Sequence, residues 1–278
     1  MLLYETVLGY FIQDNHDLST LPAIPPRFGL LDESPERWAN LIDRLKWLNK
    51  TAEPGTSYIL FFLGRHGQGY HNVAHEKHPE DWEGKWSKLD GDGKICWGPD
   101  AYLTSVGEGQ ARNARDAWRA ERPFGIPVPD KMYCSPLTRA LRTHEITFED
   151  VIHAQKTVVL ENCRELYGVH PSEKRRTLTY ISEICPFYEI EPEFTEQDEL
   201  WKSDEREELG NVVDRARQVL GTVFGEVEKP QVVAITTHAV FIWAFMVAVN
   251  HTMKGGPPTG GVLPVIVKCS NVHAPAHN

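Results

Sequence analysis

From Ser57 onward the chain alternates short apolar runs with longer, charged segments of helical pattern. Four apolar runs are bounded by turns or charged residues, at positions 57–64, 131–136, 157–163 and 231–238. Strands buried on both faces read as continuous apolar runs, and their alternation with helices is typical of parallel sheets. The sequence therefore predicts an α/β fold with a mostly parallel central sheet and helices on both faces.

Three stretches lie outside this alternation. Residues 1–56 are predicted to form an N-terminal extension packed on the core, with a helix after Ser34, which leaves 57–278 as the α/β domain. Residues 171–205 are rich in Glu and aromatic residues without a regular period, which favours an insertion over the active site. The run 260–272 is predicted to be an added edge strand, because Pro264 would interrupt a central ladder.

The composition narrows the possible partners and compartment. A net charge of −10 would repel nucleic acid and anionic membranes, so an anionic substrate must be bound by a few focused arginines. The five cysteines lie singly without CxxC spacing, which indicates reduced thiols and a cytoplasmic protein. The N-terminal apolar run lacks a basic region and contains Glu5, so we expect no secretory signal.

One apolar segment approaches the length of a membrane span. Residues 231–251 are apolar except where Thr236, Thr237 and His238 interrupt them. A buried strand followed by a buried helix explains this pattern better than a transmembrane helix.

Polar residues follow the four apolar runs at the points where strands should end. Arg65 and His66 follow the first run, Arg139 the second and Glu165 the third, and His238 ends the fourth. Ligands bind beyond the carboxyl ends of the strands in open α/β sheets. The pattern therefore predicts that two His, two Arg and one Glu share a single rim.

These residue types suit phosphoryl transfer. Arginine binds phosphate oxygens in a bidentate manner and neutralises their charge. An imidazole is a good nucleophile near neutral pH when its second nitrogen is held as a donor. A buried carboxyl such as Glu165 can protonate a leaving alkoxide, and Gly67 lets the backbone approach a phosphate closely.

The motifs resemble a known family. LGRHGQGYHN at 63–72 resembles the RHG signature of the histidine phosphatase superfamily, also called the phosphoglycerate mutase-like family. Matching segments follow in the expected order: LTSVGEGQA, SPLTRALRT, RELYGVHPSEKRR and the late His238. The resemblance spans about residues 57–270, and RHGQGYHN with RELYGVHPSEKRR looks most similar to the fungal phosphomutase-like branch of small cytosolic phosphatases.

The resemblance implies roles for the rim residues. His66 would be the nucleophile that becomes phosphohistidine, and Arg65, Arg139 and His238 would form the phosphate pocket. Glu165 would be the proton donor and later the base for water. The expected function is hydrolysis of a small-molecule phosphomonoester.

Other polar residues lie near the signature. The resemblance implies that Gln68 or Asn72 adds a hydrogen bond to the phosphate or the leaving group. It implies neither a metal nor an organic cofactor. The spacing of His71, His75 and His78 could suggest metal ligands, but without a partner set of carboxylates or Cys we interpret them as surface or lid residues.

Several alternatives remain open. Glu161, Glu173 and Glu183 are nearby alternatives to Glu165. Arg175 and Arg176 either contact a distal anion of the substrate or belong to a charged loop. A phosphoglycerate-type mutase is a second reading, which the acidic segment 189–208 argues against.

A departure from the family pattern keeps further readings open. Family members usually have Gly or Ser directly after the second histidine, where this chain has Ala239 and Val240. Bulkier residues could reshape the pocket for non-phosphate chemistry, namely hydrolysis, dehydration or isomerisation of a metabolite. A catalytically weak binding protein is the remaining alternative.

Overall fold

A computed structural model of the chain describes residues 2–14, 17–150, 157–252 and 254–271. In this part of the chain seven strands form one sheet in the order β1-β7-β2-β6-β3-β4-β5. They are β1 (Leu2–Val7), β2 (Ser57–Arg65), β3 (Lys131–Cys134), β4 (Thr157–Val159), β5 (Glu189–Ile190), β6 (Val232–Thr237) and β7 (Val262–Asn271). The strands β2, β6, β3, β4 and β5 lie side by side and are all parallel. β7 is antiparallel to both of its neighbours, β1 and β2. The predicted α/β class with a mostly parallel sheet is confirmed.

Helices cover both faces of the sheet, as predicted. They are α1 (Arg37–Thr51), α2 (Tyr70–Lys77), α3 (Ser105–Glu121), α4 (Thr138–Thr147), α5 (Leu178–Ile184), α6 (Leu209–Phe224) and α7 (Ala239–Ala248). Successive side chains of a strand point to opposite faces. Phe61 of β2 accordingly packs in one core with α6 and α7, and Phe62 packs in another with α1 and α3. Continuous apolar runs result because each strand needs apolar side chains on both faces.

The prediction for the last strand was wrong in position. β7 lies between β1 and β2 and is therefore internal to the sheet. Pro264 is tolerated because β1 pairs only as far as Ile266, so the side of Pro264 that faces away from β2 has no strand beside it. The Pro264 carbonyl on that side accepts a long hydrogen bond from the Gln13 amide, 3.4 Å away.

The first 56 residues contribute an edge strand as well as the expected helix. The sequence analysis assigns no strand to residues 2–7, whereas β1 pairs with β7 along its length. α1 buries Trp38, Leu41 and Leu45 against the sheet. The segment therefore completes one side of the core.

The long apolar segment is divided between two elements. β6 is fully buried, and α7 follows it directly after His238. The predicted buried strand and helix are confirmed. Within the residues that the structure describes, no helix is both long and apolar enough to cross a membrane.

Candidate active site

Parallel pairing of two central strands brings two histidines together. Arg65 at the end of β2 lies opposite Thr237 at the end of β6, and the His66 N–H donates to the Thr237 carbonyl at 3.0 Å. The next residues, His66 and His238, leave the sheet side by side with ring centroids 5.0 Å apart. Both side chains are buried.

His66 is held in one tautomer by its own loop. Its Nδ1 lies 2.6 Å from the Gly67 carbonyl oxygen. Because a carbonyl only accepts hydrogen bonds, Nδ1 carries the hydrogen and Nε2 keeps its lone pair. Burial, and then the charges of Arg139 and Arg65, hold the pKa of His66 well below its usual value. His66 is therefore a neutral imidazole with a nucleophilic Nε2.

Gly67 fixes this loop against two helices. A Cβ at Gly67 would overlap the carbonyl oxygen of Gly107 in the first turn of α3, so only glycine fits. The Gly67 N–H donates to Thr143 Oγ1 at 3.0 Å, and that hydroxyl donates to the Arg139 carbonyl at 2.7 Å. The loop of His66 and the backbone of Arg139 thus belong to one hydrogen-bonded unit.

Two arginines present unpaired nitrogens to the histidines. Arg139 is fully buried; its Nη1 donates to the Ser172 carbonyl at 2.7 Å and lies 4.0 Å from Asp100 Oδ1. Arg65 Nη1 donates to the Pro257 carbonyl at 2.9 Å. Arg139 Nε and Nη2 and Arg65 Nε are buried without a hydrogen-bond partner among the described residues.

Glu165 contacts the first turn of α7, which follows the second histidine directly. Its Oε1 accepts from the N–H groups of Leu166 at 3.0 Å and Val240 at 3.2 Å. Burial, together with the nearby charge of Glu173, raises the pKa of Glu165 above its usual value. His238 Nε2 lies 2.7 Å from Ser135 Oγ. The carboxyl is thus positioned and favoured as a proton donor.

Unpartnered buried nitrogens are the shared feature of this site. Buried polar groups normally have hydrogen-bond partners, so several orphans in one place indicate a missing ligand. Of the buried side-chain atoms that have no hydrogen-bond partner among the described residues, five belong to this site: Arg65 Nε, Arg139 Nε and Nη2, His71 Nδ1 and His238 Nδ1. The charges of Arg139 and Arg65 act on the imidazoles of His66, His71 and His238. The site is therefore suited to an anion.

Comparison with known proteins agrees with this geometry. The model of the histidine phosphatase superfamily (branch 1) matches residues 61–258. The chain belongs to this family. Its enzymes are of the phosphoryl-transfer type, and both the resemblance and the coarse chemistry read from the sequence are confirmed.

Fungal relatives match over most of the chain. A probable phosphoglycerate mutase of Arthroderma benhamiae is 36% identical over 95% of this chain and 84% of its own length. Phosphomutase-like protein 3 of Candida albicans is 33% identical over 83% of this chain and 72% of its own. A solved mycobacterial glucosyl-3-phosphoglycerate phosphatase is 19% identical, with a TM-score of 0.46, over 75% of this chain and 90% of its own. The predicted similarity to the fungal branch is confirmed.

Gln68 and Asn72 both have hydrogen-bond partners within the protein. Gln68 Oε1 accepts from Thr104 Oγ1 at 2.9 Å, and the Gln68 N–H donates to Gln110 Oε1 at 2.7 Å. Asn72 Oδ1 accepts from the Gly69 N–H at 2.9 Å at the start of α2. Their contact with substrate stays a prediction.

The three histidines after the signature separate in the structure. His75 packs edge-on against Trp82, and His78 stacks on Trp86. His71 instead faces His66, so its interpretation as a surface or lid residue does not describe its position. Within the described ranges no group of three or more His, Cys, Asp or Glu residues could hold a metal ion.

The alternatives to Glu165 have other neighbours. Glu161 pairs with Arg164 at 2.7 Å and with Arg175 at 2.8 Å. Glu173 pairs with Arg206 at 2.5 Å. Glu183 lies exposed on α5, outside the site.

The two neighbouring arginines also differ. Arg175 is committed to Glu161 and to the Thr195 carbonyl, 2.9 Å away. Arg176 lies 5.7 Å from the Tyr102 ring and 5.6 Å from the Tyr180 ring, and has no ion pair among the described residues. It borders a cavity of about 470 Å³. Only Arg176 remains a candidate for a distal anion.

Asp100 is a site residue that the sequence analysis missed. Its carboxylate is fully buried and accepts from the Thr138 N–H at 3.0 Å and from Thr138 Oγ1 at 2.6 Å. It thereby holds the start of α4, next to Arg139. No local sequence motif predicts this role, because the partner, Thr138, lies 38 positions away in the sequence.

Proposed function

We propose that this histidine phosphatase hydrolyses a small-molecule phosphomonoester through a phosphohistidine on His66. One observation carries the proposal: a neutral His66, with Nε2 unprotonated, lies among buried N–H groups of Arg65, Arg139 and His238 that have no partner among the described residues. Phosphoryl transfer needs mainly an aligned nucleophile and groups that neutralise charge, and this site supplies both.

The first step forms the phosphoenzyme. The lone pair of His66 Nε2 attacks phosphorus, and the bond from phosphorus to the ester oxygen breaks. Protonated Glu165 gives its proton to the departing oxygen. Arg65 and Arg139 hold the phosphoryl oxygens, and with the Ser135 hydroxyl hydrogen directed to Nε2 of His238, the Nδ1 of His238 donates to them as well.

The second step returns the enzyme to its starting state. The Glu165 carboxylate takes a proton from a water molecule whose oxygen attacks phosphorus. The bond from phosphorus to Nε2 breaks, His66 regains its lone pair, and inorganic phosphate leaves. No proton is lost or gained by the enzyme over the full cycle, because Glu165 ends protonated.

The same chemistry is compatible with a mutase, and fungal relatives are named as a probable phosphoglycerate mutase and a phosphomutase-like protein. A mutase returns the phosphoryl group to the product instead of to water. Segment 189–208 is acidic in composition, but two of its carboxylates are neutralised: Asp198 pairs with Arg164 at 2.6 Å and Glu207 with Arg215 at 2.7 Å. The segment is therefore a weaker argument against an acidic substrate than its composition indicated. The choice between hydrolase and mutase therefore depends on whether water or the product accepts the phosphoryl group from His66.

The decisive experiment measures turnover of para-nitrophenyl phosphate without added metal, in the wild type and in His66→Ala. We expect turnover and an acid-labile phosphoenzyme in the wild type and neither in the variant. Release of inorganic phosphate from phosphoglycerate, rather than its isomerisation, distinguishes the hydrolase from the mutase. An active His66→Ala variant would refute the mechanism, and a wild type without turnover or phosphoenzyme would favour the non-phosphate or binding-protein reading.

The compartment is part of the proposal. All five cysteines are free, and four of them are buried. Unpaired thiols support a reducing compartment, and we infer that the enzyme acts in the cytoplasm.

A further inference from the structure

His71 is a third imidazole beside the nucleophile, and the mechanism above does not use it. Its ring centroid lies 5.3 Å from that of His66. The positive charges of Arg139 and Arg65 both act on it, so it lies within the electrostatic reach of the phosphate pocket. Its Nδ1 is buried and has no hydrogen-bond partner in the part of the chain that the structure describes.

The backbone before His71 is shaped to admit this ring. A Cβ at Gly69 would lie 2.7 Å from His71 Nδ1, closer than such atoms approach. The φ angle of Gly69 is −97°, which any residue can adopt. Space for the His71 ring, together with the nearby Tyr102 carbonyl, is therefore what requires glycine here.

Simple packing does not account for the imidazole. His75 on the same helix and His78 just after its end each place their rings on a tryptophan, whereas the ring of His71 faces His66. An apolar ring would fill the same volume without leaving a buried nitrogen unsatisfied. A ring with an unpartnered buried nitrogen, centred 5.3 Å from the ring of His66, indicates a ligand that both histidines contact.

We propose that His71 binds the substrate, donating an imidazole hydrogen bond to the phosphoryl group while it is transferred to His66. This inference rests on the proposed phosphatase function. Burial, and then the charge of Arg139, hold the pKa of His71 well below its usual value, so the ring is neutral and has one N–H to donate. It adds a donor without adding a charge to a pocket that already contains two arginines.

The test compares His71→Phe, which keeps the ring volume and removes both nitrogens, with wild type. Losing one hydrogen bond to a charged group should lower kcat/KM for para-nitrophenyl phosphate by about 10- to 100-fold. Inhibition by vanadate, which mimics the transferred phosphoryl group, should weaken by a similar factor. His75→Phe is the matched control on α2, one turn away and outside the pocket, and should change neither value more than about 2-fold.

Two further variants keep the test decisive if His71→Phe does not fold. His71→Asn can place an amide donor near the position of Nδ1, and should recover part of both losses. Gly69→Ala should displace the ring and reproduce both losses with His71 intact. Vanadate inhibition and kcat/KM that are unchanged in a folded His71→Phe or Gly69→Ala variant would overturn the inference.

Wild type serves as the reference that separates the two proposals. If wild type turns over the ester and His66→Ala does not, the phosphatase proposal stands, whatever His71→Phe shows. If wild type neither turns over the ester nor binds vanadate, the phosphatase proposal fails, and the role of His71 fails with it.

Discussion

The backbone N–H of Val240 donates to Oε1 of Glu165 across 3.2 Å, which connects the first turn of α7 to the proposed proton donor. The helix N-terminus carries a partial positive charge that favours the carboxylate form needed in the second step. The contact uses main-chain atoms, so it does not require a glycine at position 239 or 240.

Placing at position 239 the glycine that family members usually have should therefore have little effect on catalysis. We expect Ala239→Gly and Val240→Ala each to change kcat/KM for para-nitrophenyl phosphate by less than about 3-fold, as is usual when no contacting group is removed. Steady-state kinetics of the two variants and wild type provide the measurement. A gain of tenfold or more in Ala239→Gly would instead mean that the Ala239 methyl group obstructs the pocket.

The pKa of Glu165 should determine where turnover falls at alkaline pH. The raised pKa means that the protonated acid persists above its usual range and is lost as the pH rises through that pKa. Because the pKa of His66 is held low, the acidic limb should lie well below pH 6.5. Glu165→Gln should flatten the alkaline limb and slow hydrolysis of alkyl phosphates by about 100-fold or more. An unchanged limb in this variant would assign the proton donor elsewhere.

Two glycines near the nucleophile should respond oppositely to alanine. Gly67→Ala forces a Cβ into the Gly107 carbonyl, so we expect the free energy of unfolding to fall by about 1–3 kcal/mol and turnover to drop. Gly109 in the same helix as Gly107 has open space around it, and Gly109→Ala should raise stability by about 0.5–1 kcal/mol. Urea unfolding of both variants is the measurement. Equal effects would contradict the close approach of the loop to α3.

Asp100 should make stability depend on pH. Burial raises the pKa of Asp100 from 3.8 to about 6. A raised pKa means that the stabilising, protonated form is present below pH 3.8 and is lost as the pH rises through about 6. Relative to Asp100→Asn, wild type should lose about 2.5 kcal/mol of unfolding free energy between pH 4 and 7.5. Parallel curves for the two proteins would show that folding leaves the pKa of Asp100 unchanged.

Arg176 should select substrates by their distal charge. Its guanidinium has no ion pair among the described residues and borders an open cavity, which suits a second anionic group. Arg176→Gln should raise KM about tenfold for phosphate esters with a distal carboxylate and leave para-nitrophenyl phosphate unaffected. Arg217→Gln, which removes an exposed ion pair with Asp214, is the control. Equal changes for both substrates would place Arg176 in the charged loop instead.

The rim of the site could be predicted because it follows from strand ends. Arg65, His66 and His238 terminate apolar runs, and parallel strands bring their carboxyl ends to one edge of the sheet. The signal is local in sequence, although the contact is not. The fold class could be predicted for the same reason, since runs buried on both faces are specific to sheets covered by helices.

What escaped prediction depends on neighbours distant in sequence. Pro264 suggested an edge strand, and only the early end of β1 at Val7 explains why an internal strand accepts it. Asp100 and His71 resemble ordinary loop and helix residues until α4 and the loop of His66 surround them. Their roles come from burial, which a single sequence does not display.

The pairing of β1 with β7 has a consequence for synthesis. Glu5 and Lys268 meet across these strands although 263 positions separate them, and the Gly260 N–H just before β7 donates to the His66 carbonyl at 2.9 Å. On the ribosome, the loop of His66 therefore lacks this anchor until Gly260 has emerged. A nascent chain should carry Arg65, His66 and Arg139 well before this contact can form, so activity should appear abruptly after β7 has been synthesised.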